Sequence, residues 1–195
     1  MKTNCLTEKA TIVAATIVLL GTMTLLPASA ESSTAPPDLH SKSIVVSWAE
    51  NRVQRHVGEP NFRPVNANQT MSIYISSAGR VFSRLNLATG AGTGSAERIQ
   101  GDQKQSPMFR PWEPTFGDKS MTLSQPFQKG GMRKLSIDFD AGLTGCKAKV
   151  AYVKDEGAQT SLAWSPITKK MVEFQSIAMI GESCAIKAGN VFGNE

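Results

Sequence analysis

The stretch of sequence that decides the fold is MSIYISSAGRVFSRLNL, residues 71–87. Apolar and polar side chains alternate over residues 71–75 and again over residues 80–87, which is the period-two pattern of half-buried β-strands. The intervening residues 76–79, Ser-Ser-Ala-Gly, have the composition of a tight turn. The stretch therefore predicts a β-hairpin with one apolar face on each strand.

Segments of the same kind lie on both sides of this hairpin. Residues 44–57 begin with the β-branched run Ile-Val-Val and are predicted as a strand, although Ser47 followed by Glu50 also matches the capping box of a helix. Gly-containing turns separate the later segments from one another. Further strands are predicted at residues 120–124, 132–139, 147–153, 170–178 and 184–191, the last two being joined across Gly181.

Together these segments give about seven to nine short strands, with no long amphipathic helix between them. Strands that do not alternate with helices favour antiparallel pairing, so the predicted fold class is all-β, either an antiparallel β-sandwich or a small β-barrel. A single domain is expected over residues 42–193, because a chain of this size builds one hydrophobic core. Residues 88–119, which are rich in Gly, Thr, Pro and charge, are predicted as a long loop within that domain.

The first thirty residues have the organisation of a cleavable secretory signal peptide. Lys2 and Lys9 supply positive charge, residues 10–26 are mainly apolar, and Ala28-Ser29-Ala30 offers the small residues of a cleavage site. The apolar run is close to the lower length limit of a spanning helix, so a cleaved signal is favoured over a retained anchor. The protein is therefore predicted to be secreted or periplasmic, without a membrane span after cleavage. Residues 31–41, small and polar, are predicted as a disordered leader.

Removal of residues 1–30 leaves two cysteines, Cys146 and Cys184. An oxidising compartment favours disulfide bonds, and two cysteines have one intramolecular pairing. Their spacing is not the Cys-x-x-Cys spacing of redox-active pairs. We therefore expect one structural disulfide bond between Cys146 and Cys184.

Net charge and motif content exclude several classes of partner. The formal charge of +5 falls to +4 when the signal peptide is removed, and the basic residues form no run, so nucleic acid is not an expected partner. The Gly-rich residues 90–94 are followed by polar, Pro-rich residues instead of the helix that a nucleotide-binding loop requires. His40 and His56 are not part of an HExxH motif or of a similar zinc-ligand spacing. No cofactor and no metal site are therefore expected.

The strongest candidate for recognition is an aromatic, Pro-rich segment at residues 108–116, MFRPWEPTF. Aromatic faces stack on sugars and cations, and prolines lower the conformational entropy that a binding loop loses. The predicted binding residues are Phe109, Arg110, Trp112 and Phe116. The alternative is that these aromatic rings fold back to cover an open end of the β-structure.

Acidic residues offer a weaker candidate for catalysis. Asp138 and Asp140 lie two positions apart, which places both carboxylates on one face of a strand. A glycan hydrolase needs two acids about 5–10 Å apart across a groove, and Glu113 is a further candidate. Acidic residues are also common at the solvent-exposed end of a strand, which is the alternative interpretation of Asp138 and Asp140.

The sequence thus predicts an exported, non-enzymatic β-domain that binds an envelope polysaccharide or another envelope or extracellular protein. The alternative function is a small secreted glycan hydrolase of the carboxylate type. The shortage of catalytic side chains favours the binding domain, and no catalytic residue is assigned.

Overall fold

The computed structural model describes residues 32–99 and 112–193 of the chain. Within these ranges there are ten β-strands and one turn of 3-10 helix (Pro37–Leu39), with no α-helix. The strands are β1 (Lys42–His56), β2 (Arg63–Ile75), β3 (Val81–Thr89), β4 (Gly92–Ile99), β5 (Glu113–Gly117), β6 (Ser120–Pro126), β7 (Met132–Phe139), β8 (Cys146–Val153), β9 (Ser161–Ser165) and β10 (Lys170–Ala188). The predicted all-β class is confirmed, and the described residues contain ten strands where the sequence predicts seven to nine.

The strands form two antiparallel sheets. One has six strands in the order β4-β3-β2-β1-β10-β9, and the other has four strands in the order β5-β6-β7-β8. The longest strands, β1 and β10, lie side by side in the six-stranded sheet and pair over most of their length. Two register shifts interrupt this pairing, and such bulges bend a strand and increase its twist. The six-stranded sheet therefore curls.

The predicted hairpin at residues 71–87 is confirmed. It consists of the end of β2 and the start of β3, with Ile75 opposite Val81 in the register. The turn is closed by a hydrogen bond from Gly79 N to Ser76 O (2.9 Å). Alternate residues of both strands are buried, as the period-two pattern requires.

The inward faces of the two sheets share one main hydrophobic core. The six-stranded sheet contributes side chains such as Ile44, Val46 and Ile73. The four-stranded sheet contributes Leu123 and Ile137 among others. Since a sheet is stable only when one face is covered, each sheet depends on the other for its burial.

Two predicted loop or turn assignments are wrong. The interval 88–119, predicted as a loop, contains β4 and β5. The Gly-rich residues after the hairpin form β4 by pairing with β3. The sequence did not indicate this strand, because glycine has no side chain that favours one. Gly181 does not separate two strands. It lies within β10 at a positive φ of 66°, beside the register shift between Ile180 and Ser183, so it forms a bulge.

The predicted disordered leader at residues 31–41 is also wrong for the part that the structure describes. Ser32 exchanges two backbone hydrogen bonds with Phe116 (2.9 and 2.7 Å). Ala35 and Leu39 are buried in the main core. Burial of Leu39 supplies the hydrophobic contact that orders the segment. The predicted signal peptide, residues 1–30, lies outside the described residues.

Among residues 32–99 and 112–193, no helix has the length and apolar character needed to cross a membrane.

The predicted disulfide bond is confirmed. Cys146 at the start of β8 is bonded to Cys184 in β10, with a Cα–Cα distance of 5.4 Å. Because β8 is an edge strand of the four-stranded sheet and β10 belongs to the six-stranded sheet, the bond joins the two sheets directly. The bond is consistent with an oxidising, extracellular location.

We predict that the double variant Cys146→Ser/Cys184→Ser loses about 4 kcal/mol of unfolding free energy, because the bond closes a loop of 38 positions in the unfolded chain. Urea unfolding followed by circular dichroism measures this loss. Wild-type protein treated with dithiothreitol should lose the same amount, and the double variant should not respond to the reductant. An unfolding midpoint equal to that of the wild type would contradict a stabilising role for the bond.

Candidate functional site

At one end of the fold the inward-facing positions change from apolar to polar. In β1 the alternate residues Ile44, Val46, Trp48, Glu50 and Arg52 are all buried. The first three belong to the main core, whereas the last two carry opposite charges. Strand alternation fixes this arrangement, since residues two apart along a strand face the same side of the sheet.

In the neighbouring strands, the inward-facing residues also change from apolar to polar at this end of the fold. Gln69 in β2 lies opposite Trp48, and its side chain is buried. In the other sheet, Arg133 at the start of β7 lies opposite Tyr152 of β8. The register therefore brings five polar side chains together between the sheets, and we call them the polar cluster: Glu50, Arg52, Gln69, Arg133 and Tyr152.

Hydrogen bonds organise the polar cluster around the Glu50 carboxylate. Its Oε2 atom accepts hydrogen bonds from Gln69 Nε2 (2.7 Å) and from the Tyr152 hydroxyl (2.9 Å). Arg52 Nη1 lies 3.6 Å from the same oxygen. The Tyr152 hydroxyl in turn accepts a hydrogen bond from Arg133 Nε (3.0 Å). Tyr152 thus connects a charged group of one sheet to a charged group of the other.

Aromatic rings surround both guanidinium groups. Arg133 Cζ lies 5.7 Å from the ring centroid of Trp112, 5.9 Å from that of Phe127 and 5.2 Å from that of Tyr152. Arg52 Cζ lies 5.5 Å from the ring centroid of Phe174. Cation–π contacts of this kind strengthen when water is excluded, so the rings partly offset the burial of charge.

The cluster carries more positive than negative charge. The exposed fractions of Arg52 and Arg133 are 6% each, and that of Glu50 is 0%. Tyr152 as a whole is half-buried, but its hydroxyl lies inside the cluster. Burial raises the pKa of this phenol, and the positive charge of Arg133 opposes the rise. The phenol is therefore neutral at pH 7, and two guanidinium charges face one carboxylate.

Several polar atoms of this region have no hydrogen-bond partner among the described residues. They are Glu50 Oε1, Arg52 Nε, Gln69 Oε1 and Trp112 Nε1. A buried donor or acceptor without a partner costs about 1–3 kcal/mol. Unsatisfied groups that gather at one place mark a position where water or a ligand supplies the missing partners.

A cavity of about 50 Å³ adjoins the polar cluster. Arg52, Gln69 and Arg133 line it, together with apolar side chains that include Leu85, Val172 and Phe174. The volume accommodates a few water-sized groups. The cavity therefore combines enclosed positive charge, unsatisfied polar atoms and apolar walls.

One turn holds the two sheets together beside this cavity. Residues 127–131 connect β6 to β7, and Gln128 N donates to Leu162 O of β9 (2.8 Å) while Leu162 N donates to Lys129 O (2.9 Å). Gly130 has a φ of 85°, and a Cβ atom there would collide with the backbone of Thr160. Glycine at this position allows the close approach that closes the end of the fold.

The structure brings one of the predicted aromatic binding residues to this site, but not at the surface. Trp112 and Phe116 are only 5% and 2% exposed and belong to the main core. Trp112 contributes to the ring environment of Arg133. Phe109 and Arg110 lie outside the described residues.

The predicted acidic residues lie elsewhere. Asp138, Asp140 and Glu113 are exposed, and none of them lines the cavity. The Asp140 carboxylate accepts hydrogen bonds from Thr144 N (2.8 Å) and Thr144 Oγ1 (2.9 Å), and the first of these is the main cause of the lowered pKa of this carboxyl group. Asp140 thus stabilises the turn between β7 and β8.

Neither histidine belongs to a metal-binding arrangement. His56 Nδ1 lies 3.1 Å from Glu59 Oε1, and His40 Nε2 lies 3.2 Å from Ala35 O. In the part of the chain that the structure describes, no three His, Cys, Asp or Glu side chains are placed to hold a metal ion.

Sequence reasoning did not identify Glu50, Arg52, Gln69, Arg133 or Tyr152. In β1 the burial of alternate residues continues from Ile44, Val46 and Trp48 to positions 50 and 52, but the sequence has charged residues at these two positions. Charged residues are mostly exposed, so the pattern did not suggest that these two face inward. The contribution of Arg133 and Tyr152 depends on strand register between distant segments, which no local pattern encodes.

Comparison of the chain with family models, with curated proteins and with solved structures finds no match.

We predict that Tyr152→Phe lowers the unfolding free energy by about 1–3 kcal/mol, because Glu50 loses a donor and Arg133 loses an acceptor inside the fold. Chemical denaturation of purified protein measures the change. Tyr74→Phe is the matched control, since Tyr74 is buried and packs on Phe82 (6.1 Å between ring centroids) away from the polar cluster. Equal losses in the two variants would contradict a special role of the Tyr152 hydroxyl.

We also predict a loss of stability at alkaline pH. The pKa of Tyr152 is higher in the folded protein than in the unfolded chain, so folding favours the protonated phenol. This contribution is complete below about pH 10, the ordinary tyrosine pKa, and is lost as the pH rises above it. Urea unfolding at pH 8 to 11 should show a steeper decline for wild type than for Tyr152→Phe, and parallel declines would overturn the assignment.

Proposed function

We propose that this chain is an exported, non-enzymatic binding domain that recognises a polysaccharide or a protein of the envelope or extracellular space. In this proposal, the cavity beside the polar cluster receives one group of the ligand. The observation that supports it is that Arg52 and Gln69, which both line one small cavity, each have a buried polar atom without a hydrogen-bond partner among the described residues. A ligand that supplies the missing hydrogen bonds would recover the free energy that these atoms lose on burial.

Export is supported by two independent features. The first thirty residues have the order of charged, apolar and small residues that signal peptidase substrates share. The disulfide bond between Cys146 and Cys184 is of a kind that persists in oxidising compartments. If the chain is exported, its ligand belongs to the same compartment, and envelope polysaccharides and extracellular proteins are the two classes that the proposal names.

Binding is favoured over glycan hydrolysis by the distribution of carboxylates. Hydrolysis of the glycosidic bond uses two acids about 5–10 Å apart around the substrate. In the described part of the chain, the polar cluster contains one carboxylate, and Glu50 is already engaged by Gln69 and Tyr152. The acids proposed from the sequence, Glu113, Asp138 and Asp140, are exposed and do not line the cavity.

We predict that Ala163→Leu, which fills the cavity, lowers retention of the protein on its polysaccharide or protein ligand at least tenfold. Ala163 lines the cavity and is half-buried, so a leucine there occupies the space that a ligand group needs. The measurement is a pulldown from polysaccharide and protein fractions of the envelope, with protein purified after secretion from the full chain.

The control is Ala141→Leu, which makes the same change at an exposed position in the turn after β7. The control should bind like the wild type, and both variants should unfold cooperatively. Wild-type retention by Ala163→Leu would show that the ligand does not use the cavity. Failure of the wild type to retain material from either fraction would contradict the binding function itself.

A further inference from the structure

We infer that the group received by the cavity is a carboxylate carried on a compact apolar body. This inference rests on the function proposed above, and it adds the chemical class of the ligand group. It is carried by the placement of Arg52 and Arg133 around a cavity that nine apolar residues and four polar residues, Gln69, Gln125, Gln128 and Ser165, also line.

The charge balance at the cavity calls for a monoanion. Arg52 and Arg133 line the cavity, and no acidic side chain of the described residues lines it with them. Glu50, which lies behind this surface in the polar cluster, balances one of the two positive charges. Burial of an uncompensated charge is costly, and one negative charge from a ligand removes the imbalance.

One free donor in the cavity lining belongs to a guanidinium group, whereas Gln69 Oε1 is a free acceptor in the same lining. Arg52 Nε is buried and has no acceptor among the described residues. The hydrogen bond of Arg133 to Tyr152 uses Nε. Guanidinium groups form paired, planar hydrogen bonds with carboxylates, and these charge-assisted bonds are stronger than neutral ones.

The side chains that line the cavity determine which kind of ligand can present a carboxylate there. Leu85, Leu87, Val172 and Phe174 offer apolar contacts, and the volume of about 50 Å³ fits a group of a few heavy atoms. Since apolar residues outnumber the polar ones in the lining, a carrier with several hydroxyl groups would leave some of them without hydration or a partner. A phosphate dianion would bring two negative charges where one is needed. Both considerations favour a small apolar carboxylate.

The test compares four small probes by chemical-shift titration of ¹⁵N-labelled protein, which is expressed as the full chain and purified after secretion. Isobutyrate is an apolar carboxylate, isobutyramide is its neutral counterpart, and lactate replaces one methyl group by a hydroxyl. Inorganic phosphate is a polar anion, and the titration is run at pH 8, where it is mainly the dianion. Isobutyrate should bind at least tenfold more tightly than each of the other three. Equal or tighter binding of isobutyramide, lactate or phosphate would overturn the inference, as would the absence of isobutyrate binding.

Two variants separate the charge from the cavity. Arg52→Gln should lose at least tenfold in isobutyrate affinity while its isobutyramide affinity changes less than twofold, and Arg63→Gln, the same change at an exposed position in β2, should match the wild type. Should Arg52→Gln fail to fold, the four-probe comparison on wild-type protein decides the inference alone.

The two proposals fail in different ways. If isobutyramide binds as tightly as isobutyrate and Ala163→Leu abolishes both, the cavity is a ligand site but does not select a carboxylate. If no probe binds and Ala163→Leu retains the envelope ligand like the wild type, the carboxylate inference and the assigned position of the site both fail.

Discussion

Two guanidinium groups buried between the sheets constrain the structure at this end of the fold. A buried charge is tolerated only when it is paired, hydrogen-bonded or surrounded by polarisable groups. Glu50 pairs with Arg52, and the Tyr152 hydroxyl accepts a hydrogen bond from Arg133. The rings of Trp112, Phe127 and Phe174 lie beside the two guanidinium groups. The positions of these aromatic rings are therefore set by the arginines as much as by hydrophobic burial.

The register of the strands brings the residues of the polar cluster together. β8 begins at Cys146, where the disulfide bond fixes it to β10, and runs about 20 Å to Tyr152. In the same pairing, Phe139 lies opposite Cys146 at the apolar end, and Arg133 lies opposite Tyr152 at the polar end. A slip of one residue would turn Tyr152 away from Glu50, so the hydrogen bond between them is possible in one register only.

How far the sequence predicts this molecule depends on the range of the interactions involved. The hairpin at residues 71–87 follows from local alternation and a turn sequence, and it was predictable. The strand β4 was not, because its Gly-rich residues pair with β3 through the backbone alone. Gly181 looked like a turn, yet a glycine at positive φ also permits a bulge inside one long strand. The polar cluster depends on contacts across 102 sequence positions between Glu50 and Tyr152, and no local pattern encodes them.

Stability alone gives a weak reason for this cluster. Replacing a buried ion pair by well-packed apolar side chains is often neutral or stabilising, whereas removing one partner leaves a costly isolated charge. Positions 50, 52 and 133 continue apolar rows that begin with Ile44 and end with Phe139, so leucine or phenylalanine there would extend the core without unsatisfied atoms. The arrangement instead retains a net positive charge and places it beside a cavity. An anionic group from outside the chain would complete such an arrangement, and this charge balance is the physical reason for the binding function that we propose.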